Sequence, residues 1–180
     1  MKKIISLVLA AVLTLSLAAC GTKNDSKGDQ SAAPASALDL LEKVWSTYTD
    51  DEKFPAAGGD YENPVEDAPG AVSIADADNL NYMLTLPVED AGKIDGAASL
   101  SHMMNANTFT AGAFHVASSS DVDSVVSDLK DNIMNRQWMC GFPDKLVILT
   151  LGDYVISCYG AEDLVDQFSE KVTEAFADAA

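Results

Sequence analysis

The chain has 180 residues, of which 28 are acidic and 11 are basic, so its formal net charge at pH 7 is −17. This length suits one domain with a sizeable hydrophobic core. The negative charge excludes nucleic acid as a partner, because binding to phosphate requires clustered lysine and arginine side chains. It favours cationic partners instead.

The N-terminus has the parts of a secretory signal. Lys2 and Lys3 precede an uncharged run over 4–19, which is shorter than the roughly 20 apolar residues of a membrane-spanning helix. Its end, LAAC at 17–20, resembles the lipobox of bacterial lipoproteins. The resemblance implies that 1–19 is a lipoprotein signal peptide, that a diacylglycerol group is attached to Cys20, and that the lipid anchors the mature chain to the outer face of the cell membrane.

The next segments are a linker, a helix and a loop. Residues 20–35 are mostly small or polar and predict a flexible tether that carries the lipidated Cys20. A single domain then spans 36–178. Apolar residues at helical spacing predict a first helix over 36–48, where Ser36 can cap the N-terminus. Residues 51–73 contain three prolines and repeated glycine, which predict a long irregular loop.

The middle of the chain alternates between helix and strand. A short helix is predicted over 77–85, ending before a proline. Strands are predicted over 97–104 and 109–117, with a turn between them. An apolar stripe predicts a helix over 120–137, whose first turn carries acidic residues beside the positive end of the helix dipole.

A hairpin and a last helix complete the domain. Strands over 145–151 and 154–160 meet at Gly152-Asp153, which suits a type II′ turn. The predicted register pairs Val147 with Cys158, Leu149 with Ile156 and Leu151 with Tyr154. Both faces of the hairpin are apolar, so we expect it to lie in the centre of its sheet. The last helix is predicted over 162–177.

This order of elements, α-α-β-β-α-β-β-α, predicts an α+β fold. We expect a small antiparallel sheet of about four strands, packed against helices that lie mainly on one face. No internal repeat is visible in the sequence.

The segments SHMMNANTFTAGAFHV and NRQWMCGFPDKLVILTLGDYVISCYG, followed by an amphipathic helix, resemble a largely uncharacterised group of small lipoproteins from Gram-positive bacteria. These proteins often carry the label bacteriocin transport accessory protein. The resemblance covers roughly residues 75–178, and its most telling positions are Trp138, Cys140, Gly152 and Asp153. It implies a surface lipoprotein domain and brings no catalytic residues with it.

Two cysteines remain in the mature chain, and two interpretations of them stay open. An exported protein can keep a disulfide, and Cys140 lies one loop before the hairpin that carries Cys158 on its core face. The alternative is a small buried thiol at Cys158 that fills space in the core.

Four residues could suggest a soft-metal site: His102, Met103, Met104 and His115. Adjacent residues of a strand point to opposite faces, and a tight turn would pair position 102 with about 111 rather than with His115. We therefore expect packing roles and no metal. Asp76 or Asp78 is expected to cap the helix over 77–85, because an EF-hand calcium loop needs a glycine and a glutamate that are missing here.

Motifs for catalysis or cofactor binding are absent from the sequence. It has no G-x-S-x-G elbow, P-loop or dinucleotide fingerprint, so no catalytic residue and no cofactor are predicted. The expected function is a non-catalytic binding or accessory module at the cell surface, with an envelope protein, a transporter or a cationic peptide as partner and a link to peptide or bacteriocin export. The alternative is a lipoprotein that binds a small ligand or a metal.

Overall fold

A computed structural model of the chain describes residues 33–139 and 141–177. The signal, the lipobox with Cys20, most of the tether and Cys140 lie outside the described residues. The described part confirms the α+β fold: an antiparallel sheet packs against four α-helices.

The element bounds follow the predicted order. The helices are α1 (Ala37–Ser46), α2 (Ala77–Leu84), α3 (Val122–Asn135) and α4 (Glu162–Ala175). The strands are β1 (Ala56–Gly59), β2 (Pro64–Glu66), β3 (Gly70–Val72), β4 (Ile94–His102), β5 (Phe109–Val116), β6 (Lys145–Leu151) and β7 (Tyr154–Gly160). Short 3-10 turns at Val88–Lys93 and Ser119–Asp121 precede β4 and α3.

Side-chain caps fix where the first two helices begin. Ser36 Oγ accepts a hydrogen bond from the amide of Asp39 at 3.0 Å, as its position predicts. Asp76 Oδ1 accepts one from the amide of Asn79, also at 3.0 Å, at the start of α2. Helix α2 ends at Thr85, whose φ of +60° lies in the left-handed region.

The sheet has the strand order β2-β1-β4-β5-β7-β6, and β3 also pairs with β4. Strands β6 and β7 have the predicted bounds and the predicted register. Gly152 has a φ of +57° and Asp153 has a negative one, as a type II′ turn requires. The predicted central position of the hairpin is wrong for one strand: β7 is internal, but β6 forms an edge of the sheet.

The interpretation of 51–73 as an irregular loop is also wrong, because three short strands lie there and raise the strand number to seven. The glycines that suggested a loop instead allow close backbone packing. A Cβ atom added to Gly58 would lie 2.2 Å from the amide nitrogen of Gly70, so neither position has room for a side chain. Low strand propensity is overridden here by the fit between backbones.

Helices cover both faces of the sheet, which corrects the expectation of one covered face. One core lies beneath α1 and α4 and includes Leu40, Phe109 and Phe168. The other lies beneath α2 and α3 and includes Phe114 and Leu129. Successive strand residues point to opposite faces, so β-strands with continuous apolar runs need cover on both sides.

The start of the described chain is fixed to one end of the sheet. Pro34 is buried, and its carbonyl oxygen accepts a hydrogen bond from the Tyr154 hydroxyl at 3.0 Å. Tyr154 opens β7, beside the turn of the hairpin. None of the helices in the described residues is long and apolar enough to cross a bilayer.

Candidate functional site

A cleft of about 370 Å³ opens at the end of the sheet opposite to Pro34. Four segments form its walls: the turn after β1, helix α2, the loop between β4 and β5, and the segment that follows α3. The lining side chains are Tyr61, Tyr82, Met83, Ser101, Ala106, Asn107, Arg136, Gln137, Trp138 and Met139. Aromatic and thioether groups thus predominate over polar ones on the walls of this aromatic cleft.

Two tyrosines stand at its mouth. The side chains of Tyr61 and Tyr82 are 71% and 63% exposed, although their ring centroids lie only 6.1 Å apart. Partial desolvation, followed by the neighbouring Tyr82 hydroxyl, raises the pKa of Tyr61, so its hydroxyl is neutral at pH 7. Large aromatic rings usually contribute their area to a core or an interface, so an exposed pair indicates a binding surface.

Trp138 forms the floor of the cleft. Its ring packs edge-on against the buried Tyr159, with centroids 5.2 Å apart. Its indole nitrogen donates a hydrogen bond to the carbonyl oxygen of Ile133 at 3.2 Å. The ring is therefore held by β7 below and by the last turn of α3 beside it, which makes the floor rigid.

Arg136, the only arginine of the sequence, connects the walls. Its guanidinium donates hydrogen bonds to the carbonyl oxygens of Asn81 at 3.1 Å and Tyr82 at 2.9 Å, and so satisfies the last turn of α2. It also lies 6.0 Å from the ring centroid of Tyr82 and 5.2 Å from that of Trp138. The guanidinium group of Arg136 therefore holds the aromatic side chains of the cleft in place.

An acidic hollow of about 350 Å³ adjoins the aromatic cleft, and Tyr61 lines both. Glu62 and Asp76 line the hollow with exposed side chains. Asp60, in contrast, is buried at its base and accepts hydrogen bonds from the amides of Ser73 and Asn63, both at 2.9 Å. These bonds, that from Ser73 first, lower the pKa of Asp60 below its usual value of 3.8.

The structure does not bring the candidate metal ligands together. His102 stacks on Phe54 with centroids 5.4 Å apart, and its Nδ1 accepts the amide hydrogen of Met104. His115 lies at the other end of the β4–β5 ladder, beside Asp95 and Tyr154. In residues 33–139 and 141–177, no three side chains of His, Cys, Asp or Glu are grouped to hold a metal ion.

Cys158 lies in the core beneath α1 and α4, with its Sγ 3.9 Å from Ser169 Oγ. Burial raises the pKa of its thiol to about 12, so the thiolate needed for nucleophilic chemistry does not form near pH 7. Trp138 packs on the opposite face of the sheet. Because Cys140 is not among the described residues, the disulfide between Cys140 and Cys158 stays a prediction.

Sequence reasoning located only part of the aromatic cleft. Tyr61 belongs to 51–73, the segment that the sequence predicts to be a long irregular loop, but Phe54 of the same segment packs inward against Trp45, with centroids 5.2 Å apart. The sequence does contain a signal that Tyr82 is exposed, because its position falls outside the helical face of α2 that buries Leu80 and Leu84. Its approach to Tyr61 is a long-range contact that no local pattern encodes.

Comparisons with protein-family models, with curated proteins and with solved structures give no match. The fold and the site therefore define a class only: an α+β domain, covered by helices on both faces, with an aromatic cleft and an acidic hollow at one end of its sheet.

Proposed function

We propose that this chain is an extracytoplasmic lipoprotein, anchored through Cys20, whose domain binds peptides at the cell surface without catalysing a reaction. The ligand class is a cationic peptide with apolar side chains. An accessory role beside an envelope protein or a peptide or bacteriocin exporter is part of the proposal and rests on the resemblance at residues 75–178.

The aromatic cleft carries this proposal. Tyr61 and Tyr82 expose most of their surface, whereas the other three tyrosines of the chain are buried in its two cores. The floor and walls are fixed in advance by the contacts of Trp138 and Arg136, which reduces the entropy that a ligand must overcome on binding. An opening of about 370 Å³ lies within the usual range of ligand sites and has room for side chains of a peptide.

The charge of the surroundings supports a cationic ligand. Removing Lys2 and Lys3 with the signal leaves nine basic and 28 acidic residues, a formal charge of −19. The acidic hollow places Glu62 and Asp76 beside Tyr61. A lysine or arginine of a peptide would meet a carboxylate there and an aromatic face next to it, while apolar side chains enter the aromatic cleft.

The lining of the aromatic cleft also supports a role without catalysis. Among the described residues that line it, only Arg136 and the two tyrosines have ionisable side chains. The guanidinium already bonds to two carbonyl groups. A general acid or base must exchange a proton with the substrate, and a guanidinium held by two carbonyl oxygens is poorly placed for that role.

A small organic ligand is the second candidate, because the volume of the aromatic cleft lies within the usual range for such sites. The charge dependence of binding separates the two. A neutral ligand held by aromatic contacts is insensitive to salt, whereas a cationic peptide bound to acidic side chains weakens as salt screens them.

The experiment is a titration of the purified full-length chain in detergent with lysine-rich amphipathic peptides, followed by tryptophan fluorescence. Trp138 lies in the aromatic cleft, whereas Trp45 is buried in the distant core beneath α1. We expect a saturable change whose affinity falls as NaCl increases. The absence of saturable binding by cationic peptides, or binding without salt dependence, would reject this function.

Matched variants locate the binding surface. Truncation of one exposed ring in Tyr61→Ala or Tyr82→Ala should weaken binding by about tenfold, since a well-buried aromatic contact is worth roughly 1–2 kcal/mol. Phe142→Ala is the control, because it also removes a half-exposed ring, but outside the aromatic cleft. An equal loss of peptide affinity in all three variants would show that the peptide binds at another surface.

A further inference from the structure

Arg136 differs from most lysines of the domain in its surroundings. Four lysines each form an ion pair with at least one carboxylate: Lys43, Lys93, Lys145 and Lys171. Arg136 forms no ion pair within the described part of the chain, although the sequence contains 28 acidic residues. The only arginine of the sequence thus lines the aromatic cleft as a cation without an anionic partner among the described residues.

The guanidinium group of Arg136 keeps hydrogen-bonding capacity for a ligand. A guanidinium carries five N–H groups and stays charged in proteins. In residues 33–139 and 141–177, Nη1 donates to the carbonyl oxygen of Asn81 and Nη2 donates to that of Tyr82, so two of the five N–H groups are used. The others belong to a rigid, planar cation at the wall of the cleft and can bind an acceptor there.

We propose that Arg136 binds the C-terminal carboxylate of the peptide ligand, an assignment that rests on the function proposed above and adds which end of the peptide is recognised. A carboxylate matches the planar fork of a guanidinium group, which can donate to both of its oxygens. Capture of a terminal carboxylate is a recurring mode of peptide recognition. The aromatic cleft is then a site for the last residue of a peptide and not for an internal segment.

The rings beside the guanidinium group select the last side chain of the peptide. The central carbon of the guanidinium lies 6.0 Å from the ring centroid of Tyr82 and 5.2 Å from that of Trp138. A peptide whose carboxylate contacts Arg136 therefore has its last side chain within reach of both rings. Because aromatic rings contribute a large apolar area, we expect an aromatic or large apolar side chain at the C-terminus of the ligand.

The acidic hollow recognises the residues that precede the C-terminus. Tyr61 lines both the aromatic cleft and the hollow, so a peptide that leaves the cleft past this ring reaches Glu62 and Asp76. A lysine or arginine shortly before the C-terminus would meet these carboxylates. The ligand is therefore a peptide end with an anion at its last residue and a cation close before it.

The net charge of the protein separates this proposal from general electrostatic attraction. Amidation of a peptide removes the negative charge of its C-terminus, so long-range attraction to a chain of formal charge −17 would favour the amide. A carboxylate that binds Arg136 predicts the opposite order of affinity, because the amide loses a charged partner at the site.

The test compares one lysine-rich peptide that ends in phenylalanine, prepared as the free acid and as the C-terminal amide. Both are titrated into the full-length chain in detergent and followed by tryptophan fluorescence. We expect the free acid to bind about tenfold more tightly, since its hydrogen bonds to Arg136 join two charged groups. Equal affinities, or tighter binding of the amide, would overturn this proposal and leave the proposed function intact.

Two variants locate the carboxylate. Arg136→Gln should remove the preference for the free acid. Lys130→Gln is the matched control, because it removes the same charge from an exposed position outside the aromatic cleft and should keep the tenfold ratio. The ratio of the two affinities is a property of the folded protein, so a loss of stability alone does not change it. An equal loss of the preference in both variants would assign it to net charge and overturn the proposal.

N-acetyl-phenylalanine tests the carboxylate site without a cationic peptide and without a variant. It has the carboxylate and the ring but no cation, and N-acetyl-phenylalanine amide is its control. At concentrations on the order of 10 mM, we expect the acid, and not the amide, to shift the indole N–H resonance of Trp138. Should cationic peptides fail to bind, this result would reject the proposed function and keep the carboxylate site at Arg136. No shift with the acid, or an equal shift with the amide, would overturn the site.

Discussion

Replacement of Asp60 by asparagine tests how the acidic hollow is built. In the native chain Asp60 Oδ1 accepts the amides of Glu62 and Asn63 at 3.1 and 2.9 Å, and Oδ2 accepts the amide of Ser73 at 2.9 Å. Asparagine has one acceptor oxygen. If that oxygen keeps the two nearby amides, its NH₂ group faces the Ser73 amide, and two donors meet.

The magnitude follows from these bonds. A hydrogen bond to a charged acceptor contributes about 1.5–3 kcal/mol, and a buried donor without an acceptor adds a penalty, so Asp60→Asn should lower the free energy of unfolding by about 2–3 kcal/mol. Urea denaturation followed by circular dichroism measures this difference. Glu62→Gln is the control, because no hydrogen bond to the exposed Glu62 carboxylate is found in the described chain.

The dependence of this effect on pH follows from the lowered pKa of Asp60. A carboxyl group whose pKa is lower in the folded chain stabilises the fold above its unfolded pKa, and loses that contribution as the pH falls through the folded value. The stability difference between the native chain and Asp60→Asn should therefore be complete above about pH 5 and shrink below the usual value of 3.8. A difference below about 0.5 kcal/mol at pH 7, or one that does not change down to pH 2, would refute this account.

Three other outcomes are expected. Gly58→Ala should destabilise the fold by about 3 kcal/mol or more in urea, because its Cβ would meet the backbone of Gly70, whereas Gly92→Ala has open space and should be nearly neutral. Arg136→Gln should lower the melting temperature and weaken peptide binding together, since the guanidinium joins both walls of the aromatic cleft; a loss of binding without a thermal effect would contradict that role. In a quantitative maleimide assay at pH 7.5, Cys158 should react only after the chain unfolds, because its thiol is buried and its pKa is raised.

Local patterns sufficed wherever one residue and its near neighbours determine the structure. The bounds and register of the β6–β7 hairpin follow from a two-residue turn, and the start of α1 follows from Ser36. The errors concern long-range fit. Composition alone could not show that Gly58 and Gly70 lie in backbone contact, nor that β6 is the last strand at one end of the sheet in the described part of the chain.

The aromatic cleft also depends on long-range contacts that local sequence patterns do not encode. Each of its aromatic side chains is visible in the sequence, but Tyr61, Tyr82 and Trp138 come from three segments that only the folded sheet brings together. Arg136 illustrates the point most directly. As the single arginine it draws attention, yet its bonds to α2 span more than 50 positions of sequence, and no periodicity or motif encodes them.

The hydrogen bond between Pro34 and Tyr154 has a consequence for the proposed lipid anchor. The chain enters the domain at the first residue of β7, and Trp138 contacts that strand at Tyr159, about 17 Å further along. In the proposed lipoprotein, the aromatic cleft would therefore lie at the end of the domain farther from the point where the tether joins it, and a ligand could reach the cleft without displacing that junction.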